Sequence, residues 1–572
     1  MKRLKIQVIT TAFLLLSPAL FITCSDKEDD PVVLQDSRWK TDQDALASAS
    51  AAYPPWQRLS SSFSFLVESA TASTISFEGA DDADGPLVSL FLTDVNNWYP
   101  TKIFNYLYVS IAEANRTIAE ADSSYSSASL SQSAIDLAKG RALFIRALAY
   151  SYLVGLWGET PLILTAHSPS TAEQTTRKPI DEIYAQIVKD LTEAEAILPS
   201  FDPIRSNPTK GAANAILART WLQWAAKPLS QSEVAAIATG KTDPPAATWD
   251  KTRLEKALEA ANKVIESGNY SLEEDYAKLW GVIAEDRSLE HIFTIHHDGD
   301  NQGDAQGNHQ THCPFTFRFD LYEDNHIGPS DVTLLKRFAD NDARKKWSII
   351  DQLYNYDEKI GNATPNVLAN YKRYDFTFPV TSPRIAKFIH RNASLPEAAP
   401  SSQDGQPNNI NRIEIRYAEI LLIKAEAALN LGQGATTGLQ AINLLRTRAK
   451  QPALTTLTQE NLENEWYLEL FFEQREWFNL VRWRKLVSNI LTETPKYEYY
   501  KDDYATVAAI AASKGAENDG TNGKTKTNYP FFAKIYKHLH AKTDNVTGKF
   551  YRFPIPKGLK GNDLGITQNP GY

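Results

Sequence analysis

Apolar and polar residues alternate with a helical period through several separate stretches of the chain. Ile103 to Ala121 and Ile135 to Leu156 carry apolar residues three and four apart, as do Ile180 to Leu198 and Gly211 to Ala225. That period predicts packed helix pairs. It recurs over Leu254 to Ser267, Ile413 to Leu431, Gly438 to Ala449 and Leu462 to Leu486. In the Ile413 stretch, Tyr417, Ile420, Leu421, Ala425 and Ala428 fall on one face, and Ile415, Ala418, Leu422 and Leu429 on the adjoining one. A helix apolar over so much of its circumference is an inner helix, and its alanines admit neighbours closely. Paired helices with small residues at their contacts predict a mainly α protein built on a tetratricopeptide-like scaffold, with a degenerate repeat.

The rest of the chain has another texture. From about Glu285 to Asn411 and from Tyr497 to Thr547, turn formers, isolated aromatics and polar runs replace the helical period. The expected organisation is a single body over 37–572, its helical scaffold mainly in 100–280 and 412–487 and an irregular, loop-rich lobe mainly in 281–411 and 488–552. Excursions of that length from a rigid scaffold usually serve recognition.

The amino terminus reads as a secretory signal. Lys2, Arg3 and Lys5 precede an apolar run from Ile6 to Thr23, which Thr10, Thr11, Ser17 and Pro18 interrupt. The run ends at a cysteine rather than a basic flank, which argues against a spanning helix. We expect a signal peptide over 1–23 and a lipidated acidic tether over 24–36, with Cys24 acylated. Several acyl chains on one terminus anchor stably where a single chain does not. Phe21, Ile22 and Thr23 depart from the small residue usual before such a cysteine. The acidic stretch Ser25 to Asp30 resembles the surface-export signal of lipoproteins displayed on the outer leaflet; a plain solvated linker is the alternative reading.

Charge and cysteine count narrow the function. Lys and Arg number 60 against 69 Asp and Glu, a net charge of −9 that offers no basic footprint and excludes nucleic acid. Only Cys24 and Cys313 occur, so no disulfide framework remains once Cys24 is lipidated, and stability must come from a large core. Glu469, Glu473 and Glu476 share helical spacing, and glycoside hydrolysis uses paired carboxylates. Arg475, Arg482 and Arg484 beside them favour a structural ion-pair network, so no catalytic residue is assigned. His296-His297 and the run His309 to His312 lack an HExxH pattern or paired cysteines, so they read as solvated loop histidines, with neither metal nor cofactor expected.

Several blocks, in order along the chain, resemble the SusD/RagB family. They are AKGRALFIRALAYSYLVGLWGETPLI at Ala138 to Ile163, RKPIDEIYAQIVKDLTEAEAILP at Arg177 to Pro199, NPTKGAANAILARTWL at Asn207 to Leu222, and RYAEILLIKAEAALN at Arg416 to Asn430. The chain closes with FPIP at Phe553 to Pro556 and QNPGY at Gln568 to Tyr572, endings specific to that family. The block Glu465 to Trp483 keeps the spaced glutamates and the final Arg482-Trp483. It has Gln474 where Gly is common, Arg475 and Glu476 in altered order, and Asn479 where Asp is usual. The resemblance implies a non-catalytic outer-membrane lipoprotein, exposed at the cell surface. Such a protein captures oligosaccharide or polysaccharide and closes as a lid over a SusC-like TonB-dependent transporter. An assembly adaptor, or a binder of non-carbohydrate cargo such as peptides at the same transporter, is the alternative.

Sugars present flat apolar CH faces ringed by hydroxyls, so a glycan site needs exposed aromatics beside polar side chains. The candidates are Asn97, Trp98 and Tyr99 with Asp81 upstream, Trp56 in AYPPWQ, and His312, Phe317 and Tyr322 in the irregular lobe. Trp98, beside two asparagines ahead of a helix start, is the first choice. Most aromatics in a helical protein are core residues, so packing is the competing role for each. Trp157, Trp221 and Trp483 are assigned to packing.

Overall fold

The expected helix pairs are present, and three further helices precede them. The computed structural model describes residues 39–76, 84–125, 127, 129–166, 176–280, 288–297, 327–329, 337–350, 384–385, 387, 411–494, 538–557 and 565–572. All belong to the unit Ser37–Tyr572; the other unit, Met1–Asp36, lies outside the described residues, and with it the expected signal peptide, the tether and Cys24.

Helices α1 (Asp42–Ser50), α2 (Pro54–Ser69) and α3 (Asp84–Ser89) come first. Then follow α4 (Trp98–Ser124), α5 (Gln132–Trp157), α6 (Ile180–Ile197), α7 (Lys210–Ala225), the short α8 (Gln231–Ile237) and α9 (Lys251–Glu266). After α10 (Lys345–Ser348) come α11 (Tyr417–Asn430), α12 (Leu439–Arg448), α13 (Gln459–Glu469), α14 (Glu476–Trp483) and α15 (Leu486–Glu493). Successive members stack: α4 on α5, α5 on α6, α6 on α7, α7 on α9, and α9 on α11. One core runs through them, from Trp56 and Phe63 through Leu148 and Trp157 to Leu422 and Trp477. This is the helical scaffold that the period predicts.

Caps explain where the helices begin. Thr209 in NPTKG accepts the Ala212 amide at 3.1 Å and starts α7. Gly211 follows because a Cβ there would lie 2.3 Å from the Tyr270 ring, whose hydroxyl is 2.8 Å from the Thr209 Oγ1. The two closing motifs clasp each other over the end of α5. Asn569 Nδ2 donates to the Trp157 and Phe553 carbonyls, Trp157 Nε1 donates to the Pro554 carbonyl, and Gln568 pairs with both backbone groups of Ile555.

Strands among the described residues are short and form two-stranded antiparallel pairs. Strand β1 (Thr74–Ser76) pairs with β5 (Ile327–Pro329), β2 (Thr160–Pro161) with β3 (Arg177–Lys178), β4 (His291–Ile295) with β8 (Arg412–Arg416), and β6 (Ile349–Ile350) with β7 (Arg384–Ile385). Two expectations change here. The stretch from Ile413 is not all helix: Arg412–Arg416 is strand, and α11 begins at Tyr417, whose amide donates to the Glu290 carbonyl at 2.8 Å. Nor is Leu462 to Leu486 one helix. It breaks at Phe472 (φ 58°) and Gln474 (φ 62°) and again at Arg484 (φ 57°). The first break is stabilised from outside: the Gln474 amide donates to a Glu68 carboxylate oxygen at 2.5 Å and its side-chain Nε2 to Ser64 Oγ at 2.7 Å. Ending α13 at Glu469 also frees that residue's carbonyl for Arg416 Nη2, at 2.7 Å, and Lys387 Nζ, at 3.2 Å, cations that suit a helix C-terminus.

Candidate functional site

Helices α2 and α4 run antiparallel, as their contacts show. Trp56 Nε1 donates to Ser110 Oγ at 3.0 Å, the Arg58 guanidinium lies 5.7 Å from the Tyr106 ring centre, and Phe65 stacks on Tyr99 at 5.2 Å. At one end of this seam stands the corner that carries three sequence candidates. Asn97 caps α4, its Oδ1 accepting the Tyr99 amide at 3.1 Å while its Nδ2 donates to the Asp84 carbonyl at 3.0 Å. Asp84 Oδ2 accepts the Trp98 amide at 3.0 Å. Both ends of the Asn97 amide are thus used in folding, and the residue is buried. Tyr99 is buried as well, by its stack on Phe65. Trp98 alone turns outward, 40% exposed, with Lys102 Nζ 4.4 Å from its ring centre on the next helical turn.

The other candidates separate. Trp56 is fully buried, bonded to Ser110 and edge-on to Tyr152 at 5.6 Å, so it is a core residue rather than a sugar platform. The reason is that AYPPWQ opens α2 rather than lying in a loop, and Trp56 falls on that helix's inner face. Asp81, His312, Phe317 and Tyr322 lie outside the described residues. What is described are the roots of their segments. His297, which we expected in solvent, is buried at the end of β4, its Nε2 3.1 Å from Ser60 Oγ of α2. Gln57 Nε2, also on α2, donates to the His296 carbonyl at 2.9 Å. The far side of that segment returns as β5, which pairs with β1 just beyond α2. One helix thus anchors both regions from which the candidates came.

The carboxylates considered for catalysis occupy a different setting. Glu290, Asp342, Glu465, Glu469 and Glu473 are interleaved with Arg344, Lys387, Arg416, Arg446 and Arg448 in one connected ion-pair network. Arg416 lies at its centre, its Nε 2.7 Å from Glu473, and its Nη1 2.6 Å from Glu290 and 2.7 Å from Glu469. Burial alone would push the Glu469 carboxyl up, but Arg448, Arg416 and Arg344 outweigh it and hold it well below the ordinary carboxylate range. The Glu473 carboxyl is held down in the same way by Arg416 and Lys387. Burial raises the Glu476 carboxyl, which accepts from Ser73 Oγ at 2.6 Å. A raised and a lowered carboxyl can make an acid and base pair, but here the lowered ones are enclosed by cations inside the core. A cleft of about 290 Å³ opens between α13, α14 and α15, lined by Tyr467, Phe471, Glu476 and Trp483 among others, and Arg337 stands over the Tyr467 ring at 4.5 Å. Among the described residues no cluster of three metal-ligating side chains occurs.

Sequence reasoning missed Lys102, Arg58 and Tyr106. Lys102 was legible, since it stands four residues after Trp98 in a helix. Arg58 meets Tyr106 only through the packing of α2 on α4, which no local signal announces.

Residues 280–572 match the model of the SusD family, and residues 46–222 match the model described as starch-binding, associating with outer membrane. A SusD-like protein P2 of Formosa agariphila is 27% identical over 504 residues, covering 84% of this chain and 91% of that protein. The crystal structure of a SusD superfamily protein from Parabacteroides distasonis superposes with a TM-score of 0.66 at 21% identity, over 93% of this chain and 99% of the other. A laminarin-binding SusD-like protein superposes with a TM-score of 0.63 at 20% identity, over 93% of this chain and all (100%) of the other.

Proposed function

The chain belongs to the SusD family, and from that premise we propose that it is a cell-surface glycan-binding lipoprotein, the capture subunit and lid of a SusC-like TonB-dependent transporter. The observation that carries the glycan reading is Trp98, an indole held outward at a capped helix start with its backbone fixed by Asp84 and Asn97. Such a ring offers an apolar face to a sugar, and its ordered setting lowers the entropic cost of stacking. The laminarin-binding neighbour agrees with a carbohydrate cargo.

Capture needs no chemistry from this chain. Glu469 and Glu473 are each matched by buried cations, a setting that suits structure and gives a sugar no approach. Individual stacking contacts are weak, so effective capture calls for a second set of contacts from the transporter on the same bound chain. Cys24, after removal of 1–23, carries the lipid that keeps the protein at the outer membrane. Metabolic labelling with a palmitate analogue should mark the wild type and leave Cys24→Ser unlabelled.

The glycan reading is tested by calorimetry and affinity electrophoresis of a soluble form starting at Ser25, against starch, laminarin, xyloglucan and related polysaccharides. Binding without product release, weakened about tenfold in Trp98→Ala, is expected. Absence of binding across the panel, or unchanged binding by the variant, would count against it and favour an adaptor or a non-carbohydrate cargo.

A further inference from the structure

The cleft between α13, α14 and α15 carries polar groups that folding leaves unused. Its walls are aromatic, with Trp466 and Tyr467 on α13, Phe471 in the turn after it and Trp483 at the end of α14. Glu476, Asn479 and Trp483 stand three and four residues apart on α14, and so share the face that it turns to the cleft. Asn479 is 4% exposed, and its side-chain amide has no hydrogen-bond partner among the described residues. The Glu476 carboxyl accepts from Ser73 Oγ at 2.6 Å, while Arg337 and Lys542 act on it only from beyond ion-pair distance. Glu476 and Asn479 are both positions at which the block Glu465 to Trp483 departs from the family pattern, so this lining belongs to the chain itself.

We propose that this cleft binds a small organic cation, its ammonium or guanidinium group set between the Glu476 carboxylate and the Asn479 side-chain oxygen and its carbon chain against the aromatic walls. The charge balance favours a cation over a neutral sugar. Among the described residues four carboxylates line the cleft, of which Glu463 is matched by Lys485 Nζ at 2.7 and 2.8 Å and Glu493 by Arg337. Glu460, which is exposed, and Glu476, which is half-buried, have no ion-pair partner among the described residues. A carboxylate in a partly desolvated site attracts a cation more strongly than one at an open surface. Burial raises the Glu476 carboxyl, and a cation beside it draws it down again. The Asn479 oxygen accepts a further N–H, and the rings cover the carbons while offering their faces to the charge. The cleft already holds one such pairing, since its own Arg337 guanidinium stands over the Tyr467 ring at 4.5 Å. None of these residues is a glycan candidate, so the inference stands apart from the glycan reading.

The test titrates agmatine and butylamine, with butanol as the neutral counterpart, calorimetrically into the soluble form starting at Ser25, as wild type, Glu476→Gln, Asn479→Leu and Asn479→Asp. Saturable binding of the amines and not of butanol is expected. Glu476→Gln should weaken it about tenfold and Asn479→Leu about fivefold, whereas Asn479→Asp, which adds a carboxylate, should strengthen it about threefold. Asn479→Asp and the isosteric Glu476→Gln cover the case in which Asn479→Leu fails to fold by circular dichroism. The peptide Gly-Arg-Gly separates the sources of such a cation: binding as tight as agmatine's assigns the cleft to an arginine side chain carried on a protein, and binding of the amines alone to a free amine. No saturable binding of amine or peptide, equal binding of butanol, or amine binding unchanged in Glu476→Gln overturns the proposal. So does a glycan whose affinity falls in Glu476→Gln and Asn479→Leu, because the cleft would then hold sugar.

Discussion

Removing Arg416 should be among the most damaging single changes to the body. The residue is 1% exposed, and its guanidinium touches Glu290, Glu469 and Glu473 as well as the Glu469 carbonyl. With it, five buried carboxylates face five cations; without it, four cations face five carboxylates. A buried charge stripped of its partner typically costs about 3–5 kcal/mol. We therefore expect Arg416→Met, which keeps much of the side-chain volume, to lose about 3–5 kcal/mol of unfolding free energy. At about 2.1 cal/mol/K per residue, a body of this size has an unfolding entropy near 1 kcal/mol/K, so the melting temperature should fall about 3–4 °C. Urea unfolding followed by tryptophan fluorescence measures the loss without the screening that guanidinium salt would add. Glu473→Gln in the same chain restores the balance at four against four and should recover at least about 1 kcal/mol. The pH dependence has a definite sign. Glu469 and Glu473 titrate lower in the folded protein than the ordinary value of 4.5. Their contribution is present above that pH and lost as pH falls below it toward the folded values, so the gap between wild type and variant should narrow on acidification. A loss under about 1 kcal/mol, or no recovery in the double variant, would refute the reasoning.

Two further changes probe the contacts that hold α2 and the strand after it. Lys542, in the helix over 538–545, donates to the Ser69 and Thr74 carbonyls at 2.9 and 2.8 Å, and burial pushes its ammonium down from 10.5 to about 7. The unfolded chain then holds the extra proton between those values, so stability rises with pH across that window. Relative to Lys542→Met, the wild type should gain about 3 kcal/mol from pH 7 to 9.5, read by urea unfolding at each pH; a flat difference would show that the lysine is not desolvated. Gln474 occupies a left-handed conformation, φ 62°, and bonds Ser64 through its side chain. Gln474→Ala keeps the strain and loses the bond, whereas Gln474→Gly loses the bond and the strain together. The glycine variant should be the more stable of the two by about 1 kcal/mol in the same assay, and the opposite order would contradict it.

Much of the scaffold was legible because its causes are local. Helix α5 is apolar around nearly its whole surface, and α7 announces its start through Thr209 and its packing through Gly211. The aromatic and asparagine pattern around Trp98 marked a corner that does turn an indole outward. The same pattern misassigned Asn97, whose amide is spent on capping, and Tyr99, whose ring packs on Phe65, because neighbours in sequence do not share a direction on a helix. Trp56 looked like a loop aromatic, and only the packing of α2 on α4 showed its ring to be inside.

What the sequence by itself determined are the helix pairs, the small residues that let them close, the family motifs and the charge balance, since each is written in nearest-neighbour spacing. The tertiary structure decided the rest. It broke Leu462 to Leu486 into pieces, because Glu68 and Ser64, some four hundred residues earlier, bond the turn at Gln474. It gathered Glu290, Arg344, Arg416, Arg448 and Glu469 into one buried network. It also set Arg58 against Tyr106. Hydrophobic periodicity is a property of a segment, whereas the partner of a buried charge or an exposed ring is chosen by which surfaces meet when the segments pack.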